Sequence, residues 1–305
     1  MSLLIEKTHP LCQLQDAGRF GVRHLGITQG GAADWLSMSH ANLLLGNAPS
    51  AGVLEIPLGG FALLAQADCL LALAGADLQA TVDGAALLPW RSFNLRRGQR
   101  LVFGSPREGL RAYLAAPGGF SAPAALGSLA TVARDSLGGL HGDGRPLAIG
   151  DRLGFLGAPG LGRETATARP PDLSLARPLE LVLGAQVGQF SGQSLFEAFN
   201  QPWTLDTRAD RMGMRLLGPV LAHQGPGLVS EGITLGAVQV PPDGQPIVLG
   251  NDRQTIGGYP RLGALTPLSM ARLAQAMPGQ QLRLRPVMAE AARDAHLEAW
   301  RALVG

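Results

Sequence analysis

The 42 glycines and 22 prolines, about a fifth of the 305 residues, are spread along the chain with no repeating period. Both residue types are costly inside helices, glycine through its backbone freedom and proline through its missing N–H. A chain punctuated this often cannot be a bundle of long helices. It suits a protein of many short strands joined by tight turns. Short apolar runs bounded by Gly, Pro, Asp or Asn recur at Cys69–Ala74, Arg100–Phe103, Arg111–Ala115, Arg152–Phe155, Leu179–Leu183, Ile247–Leu249 and Gln281–Leu284. Each is of strand length. Asp83-Gly84 and Arg97-Gly98 sit where hairpin turns are expected. The fold class is therefore all-β with a few short helices.

Four segments carry helical spacing. Ala32–Leu45 ends in Gly46-Asn47, a C-cap signal, and Asp34 in its first turn complements the helix dipole. Ser194–Phe199 and Pro267–Ala276 are short, the second capped by Thr266 with proline at its first position. Met288–Leu303 is amphipathic, with Ala292, Ala295, Leu297, Trp300 and Leu303 available for burial. The segment 157–178, GAPGLGRETATARPPDLSLARP, has no sustained periodicity. It predicts a unit over residues 1–160, a linker over 161–177 and a second unit with a terminal helix over 178–305.

Composition removes several functions. A net charge of +2 gives no case for nucleic acid or for an anionic membrane surface, and no RNP-like aromatic signature is present. The longest apolar stretch, Phe61–Ala76, is interrupted by Gln66 and Asp68 and is too short to span a bilayer. The first fifteen residues lack a secretory pattern, and Cys12 and Cys69 belong to no C-x-x-C motif. The expected location is cytoplasmic, with both thiols free. The six histidines are scattered singly, so no metal site is expected. Lys7 is the only lysine. With no lysine after a G-x-x-x-x-G loop and none in the interior, the chain cannot carry a Walker A site or covalent biotin.

Three segments are too dense in polar residues and glycine to be plain strands. In Leu14–Trp35, Asp16 and Arg19 lie three apart in a turn and either pair with each other or face a ligand. Gln29-Gly30-Gly31 precedes a helix, where free N–H groups can hold an anion. In Ala133–Leu147 a run of glycines follows Arg134-Asp135-Ser136, read chiefly as a flexible loop. The third is ADRMGMRL (Ala209–Leu216), SEG (Ser230–Gly232) and Gly236–Gly263. It concentrates Arg211, Arg215, Glu231, Gln239, Gln245, Asp252, Gln254, Thr255 and Tyr259. Glutamine amides both donate and accept, as a lactam or urea requires. Glu231 or Asp252 can act as general base, and Arg211 can hold a carboxylate bidentately. The alternative is a structural network of arginine–carboxylate pairs.

The stretches LQDAGR (14–19), ANLLLGN (41–47), AAPGGF (115–120), GGLHGDGRPLAIGDRL (138–153), DRMGMRL (210–216), SEGITLGAVQVPPDGQPI (230–247) and NDRQTIGGYPR (251–261) resemble the family variously called KipA, allophanate hydrolase subunit 2 and biotin-dependent carboxyltransferase. The resemblance runs along nearly the whole chain. It departs at GAQVGQF (184–190), where a proline is expected after the glycine and where Gln186 would stand in the substrate site. It also departs at Thr207-Arg208, where serine is commoner. The resemblance implies a pair of cyclophilin-like β-barrel units. It implies the C subunit of an ATP-dependent 5-oxoprolinase, which opens 5-oxo-L-proline to glutamate together with a KipI-like B subunit and a LamB/YcsF-like A subunit. The ATP site would be shared with, or held by, a partner. The expected catalytic residues are Arg211, Glu231 and Asp252. Asp16, Arg19, Gln29, Gln186, Arg215, Gln239, Gln245, Gln254, Thr255 and Tyr259 would bind substrate in a cleft between the halves. The rival activities are a carboxyltransferase using biotin carried by a partner and a non-catalytic regulator of a kinase inhibitor. With no biotin-carrier segment after the barrels, a complete carboxylase is not expected.

Overall fold

The computed structural model describes residues 2–224 and 229–304. It is mostly β, with four α-helices among the described residues. The chain divides into two compact units, one of Met1–Val22 with Gln29–Asp172 and one of Arg23–Thr28 with Leu173–Gly305. Among the described residues no helix is long and apolar enough to cross a membrane.

The first unit has two antiparallel sheets. One has seven strands in the order Phe120–Ser121, Arg152–Phe155, Ser2–Lys7, Phe61–Ala65, Arg100–Phe103, Thr81–Val82 and Ala85–Ala86. The other has five, in the order Gln13–Gln15, Val53–Pro57, Glu108–Ala115, Cys69–Asp77 and Arg91–Leu95. The near-continuous apolar run at Cys69–Asp77 follows from burial on both faces. Alternate residues of a strand point to opposite sides. Leu71 and Leu73 therefore join the main core with Leu54, Ile56 and Leu114, while Ala72 and Ala74 face the other way with Val53, Tyr113 and Ala115. That second face is lined by small side chains, and Met38 and Ala41 of helix α1 (Trp35–Leu43) pack on it.

Helix α1 starts at Trp35, not Ala32, because Asp34 has extended backbone, with φ −108° and ψ 90°, and stands outside the helix. Asp34 precedes the helix and caps it, accepting from the N–H groups of Leu36 at 3.1 Å and Ser37 at 3.0 Å. The hairpin expected at Asp83-Gly84 joins Thr81–Val82 to Ala85–Ala86. The one expected at Arg97-Gly98 is absent. Arg91–Leu95 pairs with Cys69–Asp77 in the five-stranded sheet and Arg100–Phe103 with Phe61–Ala65 in the seven-stranded one, so this turn carries the chain from sheet to sheet. Residues 162–167, read as linker, bind along the Arg91–Leu95 strand: Ser92 N–H donates to Thr165 O at 2.8 Å and Asn94 N–H to the Glu164 carboxylate at 2.9 Å.

The second unit is built on an eight-stranded sheet in the order Gln281–Leu282, Trp203–Leu205, Gly213–Leu217, Ile247–Leu249, Ala237–Gln239, Arg261–Leu265, Leu179–Leu183 and Leu284–Val287. The first and last members are neighbours in sequence, separated by Arg283 alone. The run expected as one strand at Gln281–Leu284 thus breaks and supplies both edges, giving a nearly closed barrel. Helix α2 (Gly192–Asn200) is capped by Ser191 and helix α3 (Pro267–Ala274) by Thr266. Met270 and Leu273 of α3 enter the core beside Leu181, Trp203 and Val238. Helix α4 (Ala289–Val304) buries no residue. Ala292, Ala295 and Leu303 are half-buried, but Leu297 and Trp300 stay 39% exposed, contrary to the sequence expectation. The inner face of α4 is mostly alanine, which has too little side chain to bury.

Candidate functional site

The polar residues of the third sequence segment collect around a two-stranded ribbon in the second unit, Glu231–Gly232 paired with Ile256–Gly257. Ile233 continues it, its N–H donating to Thr255 O at 3.0 Å. The register sets Glu231 opposite Gly257. Gln239, on the neighbouring barrel strand, is paired with Arg261. These few backbone pairings bring residues spread over some thirty positions into one cluster.

On one side of the ribbon the Glu231 carboxylate is held through Oε1. Gln186 Nε2 donates to it at 2.6 Å and Arg261 Nη2 forms an ion pair with it. Arg261 Nη1 also donates to Gly232 O at 3.0 Å. Both contacts fall on the same oxygen, and the side chain is 45% exposed. The donation orients the Gln186 amide and leaves its Oε1 buried without a donor among the described residues. Gln239 is buried, and its Nε2 has no acceptor among the described residues. That amide lies against Gly257, where an added Cβ would come within 2.9 Å of Gln239 Nε2 and 2.5 Å of Ile233 Cδ1. Among the described residues the cluster thus presents one unsatisfied amide donor, Gln239 Nε2, and one unsatisfied amide acceptor, Gln186 Oε1, the second oriented by its bond to Glu231. Buried polar groups are rarely left so in a finished core.

On the other side, Arg211 and Asp252 form a bidentate pair, Nε to Oδ2 and Nη2 to Oδ1, each at 3.0 Å. Both Asp252 oxygens are engaged by the same guanidinium. Beside them, Arg253 Nε donates to Ile233 O at 3.3 Å and Nη1 to Gly250 O at 3.1 Å. Arg23 reaches the same place: its Nη2 donates to Ile233 O at 2.8 Å and to Gln254 O and Thr255 O at 3.2 Å each. Burial lowers the pKa of Arg23. Burial, and then the charge of Arg23, push that of Arg253 down, against the pull of Asp252.

The remaining residues of the expected site lie elsewhere or play local parts. Arg215 pairs with Asp243, and its Nε is buried without an acceptor among the described residues. Gln245 clamps a turn, accepting from Gly218 N–H at 2.9 Å and donating to Gly218 O at 3.1 Å. Tyr259 is exposed. Asp16, Arg19 and Gln29 belong to the first unit. Asp16 and Arg19 bind one loop in place of each other: Asp16 accepts from Ser128 Oγ at 2.6 Å and Leu129 N–H at 2.9 Å, and Arg19 donates to the carbonyls of Ala125 at 3.0 Å and Ala130 at 2.7 Å. Gln29 accepts through its carbonyl from Arg19 N–H at 2.7 Å. The N–H groups ahead of α1 serve the protein's own acceptors, Ala33 on the Glu55 carboxylate and Asp34 on Tyr113 Oη, both at 2.8 Å.

Sequence reasoning missed Arg23, Arg253 and Arg261. All three lie inside the polar, glycine-rich segments, but nothing in their spacing marks them out. Only the fold shows that two of them reach one carbonyl. Among the described residues no three of His, Cys, Asp and Glu stand together as a metal site.

Comparison with known proteins places this geometry. Residues 25–286 match the model described as "Carboxyltransferase domain, subdomain A and B". The chain is 36% identical over 282 residues to the C subunit of 5-oxoprolinase from Haemophilus influenzae, covering 92% of this chain and 90% of that one. It is likewise 36% identical to the C subunit of 5-oxoprolinase from Escherichia coli, covering 94% and 92%. The crystal structure of the Kluyveromyces lactis urea carboxylase superposes with a TM-score of 0.89 at 25% identity over 99% of this chain. The chain spans only 29% of that much longer protein. With the family model covering most of its length, the chain belongs to the carboxyltransferase family built of subdomains A and B.

Proposed function

We propose that the chain is the C subunit of a 5-oxoprolinase and helps open the lactam of 5-oxo-L-proline to L-glutamate with ATP as co-substrate. The observation that carries this reading is the 36% identity to two proteins that bear the name of the 5-oxoprolinase C subunit, over nine-tenths of both partners' lengths. The urea carboxylase relatives match at lower identity and over a fraction of their length, so a carboxyltransferase activity is the second reading.

The ribbon cluster supports a lactam as ligand. A cyclic amide presents its N–H and C=O on one edge, and its complement is one acceptor beside one donor. Gln186 Oε1 supplies the acceptor and Gln239 Nε2 the donor. Resonance makes an amide carbonyl a poor electrophile, so chemistry must draw charge onto its oxygen. Transfer of the γ-phosphoryl group of ATP to that oxygen, with ADP leaving, does this. Water then adds at carbon, the ring C–N bond breaks with the proton going to nitrogen, and phosphate departs. An N–H donor stabilises the charge on oxygen as it grows. Glu231, half exposed and anchored through Oε1 by Arg261 and Gln186, is placed to take a proton from attacking water. Asp252, with both oxygens on Arg211, holds that arginine and the Asn251–Thr255 segment in place. ATP is assigned to a partner subunit or to a site shared with one, since Lys7 is the only lysine.

The partners are a KipI-like B subunit and a LamB/YcsF-like A subunit, and the expected setting is the cytoplasm. The test is reconstitution: the three purified chains are mixed with 5-oxoproline and ATP, and glutamate is measured. Activity from all three and from no pair is the expected result. Glutamate from the A and B subunits alone would remove this chain from the reaction. Glu231→Gln is expected to lower kcat by a factor of about a hundred or more, and Gln239→Leu to act on kcat and KM together.

A further inference from the structure

Arg23 and Arg253 put two guanidinium groups on a single acceptor, Ile233 O. The other side-chain hydrogen bonds of Arg23 among the described residues also end on backbone carbonyls, at Gln254 and Thr255. Carbonyls offer partial charge only. The nearby carboxylate, Asp252, has both oxygens bound to a third guanidinium, that of Arg211. The charge of Arg23 bears on that of Arg253, and like charges repel most where burial keeps water away. Arg23 Nη1 is buried and has no acceptor among the described residues. A buried cationic N–H without a partner is costly and marks a place where something else completes the bond. The rim is open, for Gln254 and Ile256 are exposed.

We infer that Arg23, with Arg253 behind it, binds a carboxylate ligand, because the two guanidiniums converge on Ile233 O while Arg23 Nη1 faces inward with nothing to bind. On the oxoprolinase reading, which fixes the ligand's identity, this is the carboxylate of the lactam acid. The role moves from Arg211, whose fork is filled by Asp252, to a residue nearly two hundred positions earlier. Ile233 ties the parts together. Its carbonyl receives Arg23 and its side chain touches Gly257, against which the Gln239 amide rests. A ligand holding its carboxylate at Arg23 would thus turn its amide toward Gln239.

The experiment measures equilibrium binding to the full chain, alone and in the reconstituted complex, of 5-oxo-L-proline, 2-pyrrolidinone and inorganic phosphate. 2-Pyrrolidinone is the same lactam without the carboxylate. Wild type is expected to prefer 5-oxoproline by about tenfold or more, the scale of a charged hydrogen bond. Arg23→Gln should erase most of that preference while leaving 2-pyrrolidinone affinity unchanged. Arg23→Lys, which keeps the charge, should retain part of it, separating loss of charge from misfolding. An unchanged preference in Arg23→Gln, or equal loss for both lactams, would overturn the assignment. So would Arg23-dependent binding of phosphate tighter than that of 5-oxoproline. A complex that releases no glutamate while the preference persists defeats the oxoprolinase reading and leaves the carboxylate site standing. Turnover with no Arg23-dependent preference does the reverse.

Discussion

Arg211 and Asp252 face each other as a planar fork and a planar carboxylate, both hydrogen bonds at 3.0 Å, with side chains 13% and 10% exposed. The backbone repeats the link, Asp252 N–H donating to Arg211 O at 2.9 Å. Removing one partner strands the other charge away from water. Arg211→Gln and Asp252→Asn should each lower unfolding free energy by about 3 kcal/mol. The double variant should cost clearly less than the sum. Urea unfolding of the four proteins tests this. Strict additivity would show that the pair is not coupled.

Glycines divide into those that merely turn and those pressed against backbone. At Gly98, with φ +87°, an added Cβ would meet nothing within 4 Å. At Gly138, with φ +70°, it would fall 2.1 Å from Ala130 O and 2.4 Å from Arg19 Nη2. Gly98→Ala should cost about 1 kcal/mol for its left-handed backbone alone. Gly138→Ala should cost about 3 kcal/mol or more, because backbone cannot step aside. Comparing their urea midpoints with wild type decides it, and similar losses would refute the distinction.

That contrast also shows what was readable in the sequence. The short apolar runs other than Gln281–Leu284, together with Asp83-Gly84 and the Thr266-Pro267 cap, are local signals, and each produced the element it announced. The Arg97-Gly98 turn misled because both a hairpin and a sheet-to-sheet corner need a left-handed glycine, and only long-range pairing tells them apart. The glycines of residues 138–144 read as a flexible loop, yet Gly138 is wedged between Ala130 O and Arg19. Nothing local records that approach. In the site, Glu231 and Gln239 could be named from chemistry and Gln186 only through the family resemblance, while Arg23 could not be named at all. Its partners are carbonyls, which every residue has.

Tyr113 tests the network beneath α1. Its hydroxyl donates to Glu55 Oε2 at 2.9 Å and accepts from Asp34 N–H at 2.8 Å, with all three residues buried. Burial, and then the charges of Glu55 and Asp34, push the phenol pKa well upward, so it remains a donor across the working pH range. Tyr113→Phe keeps the ring and leaves the Asp34 N–H unsatisfied while taking a donor from Glu55. The expected loss is about 2–3 kcal/mol. A loss below about 0.5 kcal/mol would mean that neither bond matters.

Cys12 and Cys69 are both fully buried, and burial is the main cause pushing each thiol up to about 12. Only the thiolate is an effective nucleophile. At pH 8 the native protein should give no reaction with a thiol reagent over minutes, and two equivalents once unfolded in denaturant. A rapid native equivalent would place one thiol in a reactive setting.

Asp206 gives the clearest dependence on acidity. Arg208 grips its carboxylate, Nε at 3.0 Å and Nη2 at 2.5 Å from Oδ2, while Arg208 N–H donates to Oδ1 at 3.0 Å. These bonds, the side-chain ones first, lower its pKa from 3.8 to about 2. A carboxylate depressed on folding binds its proton more readily when unfolded, so it stabilises the fold above the unfolded value. That contribution is lost as pH falls from about 4 towards 2. Arg208→Gln removes the fork but not the backbone donor. It should be less stable than wild type at pH 6, and the difference should close over that acid window. Arg208 is 72% exposed in its side chain, so 1 M salt, with a screening length of about 3 Å, should narrow the gap at pH 6 as well. Urea midpoints for both proteins from pH 2 to 7 provide the measurement. A gap that stays constant with pH would mean that Arg208 acts through packing and not through the charge of Asp206.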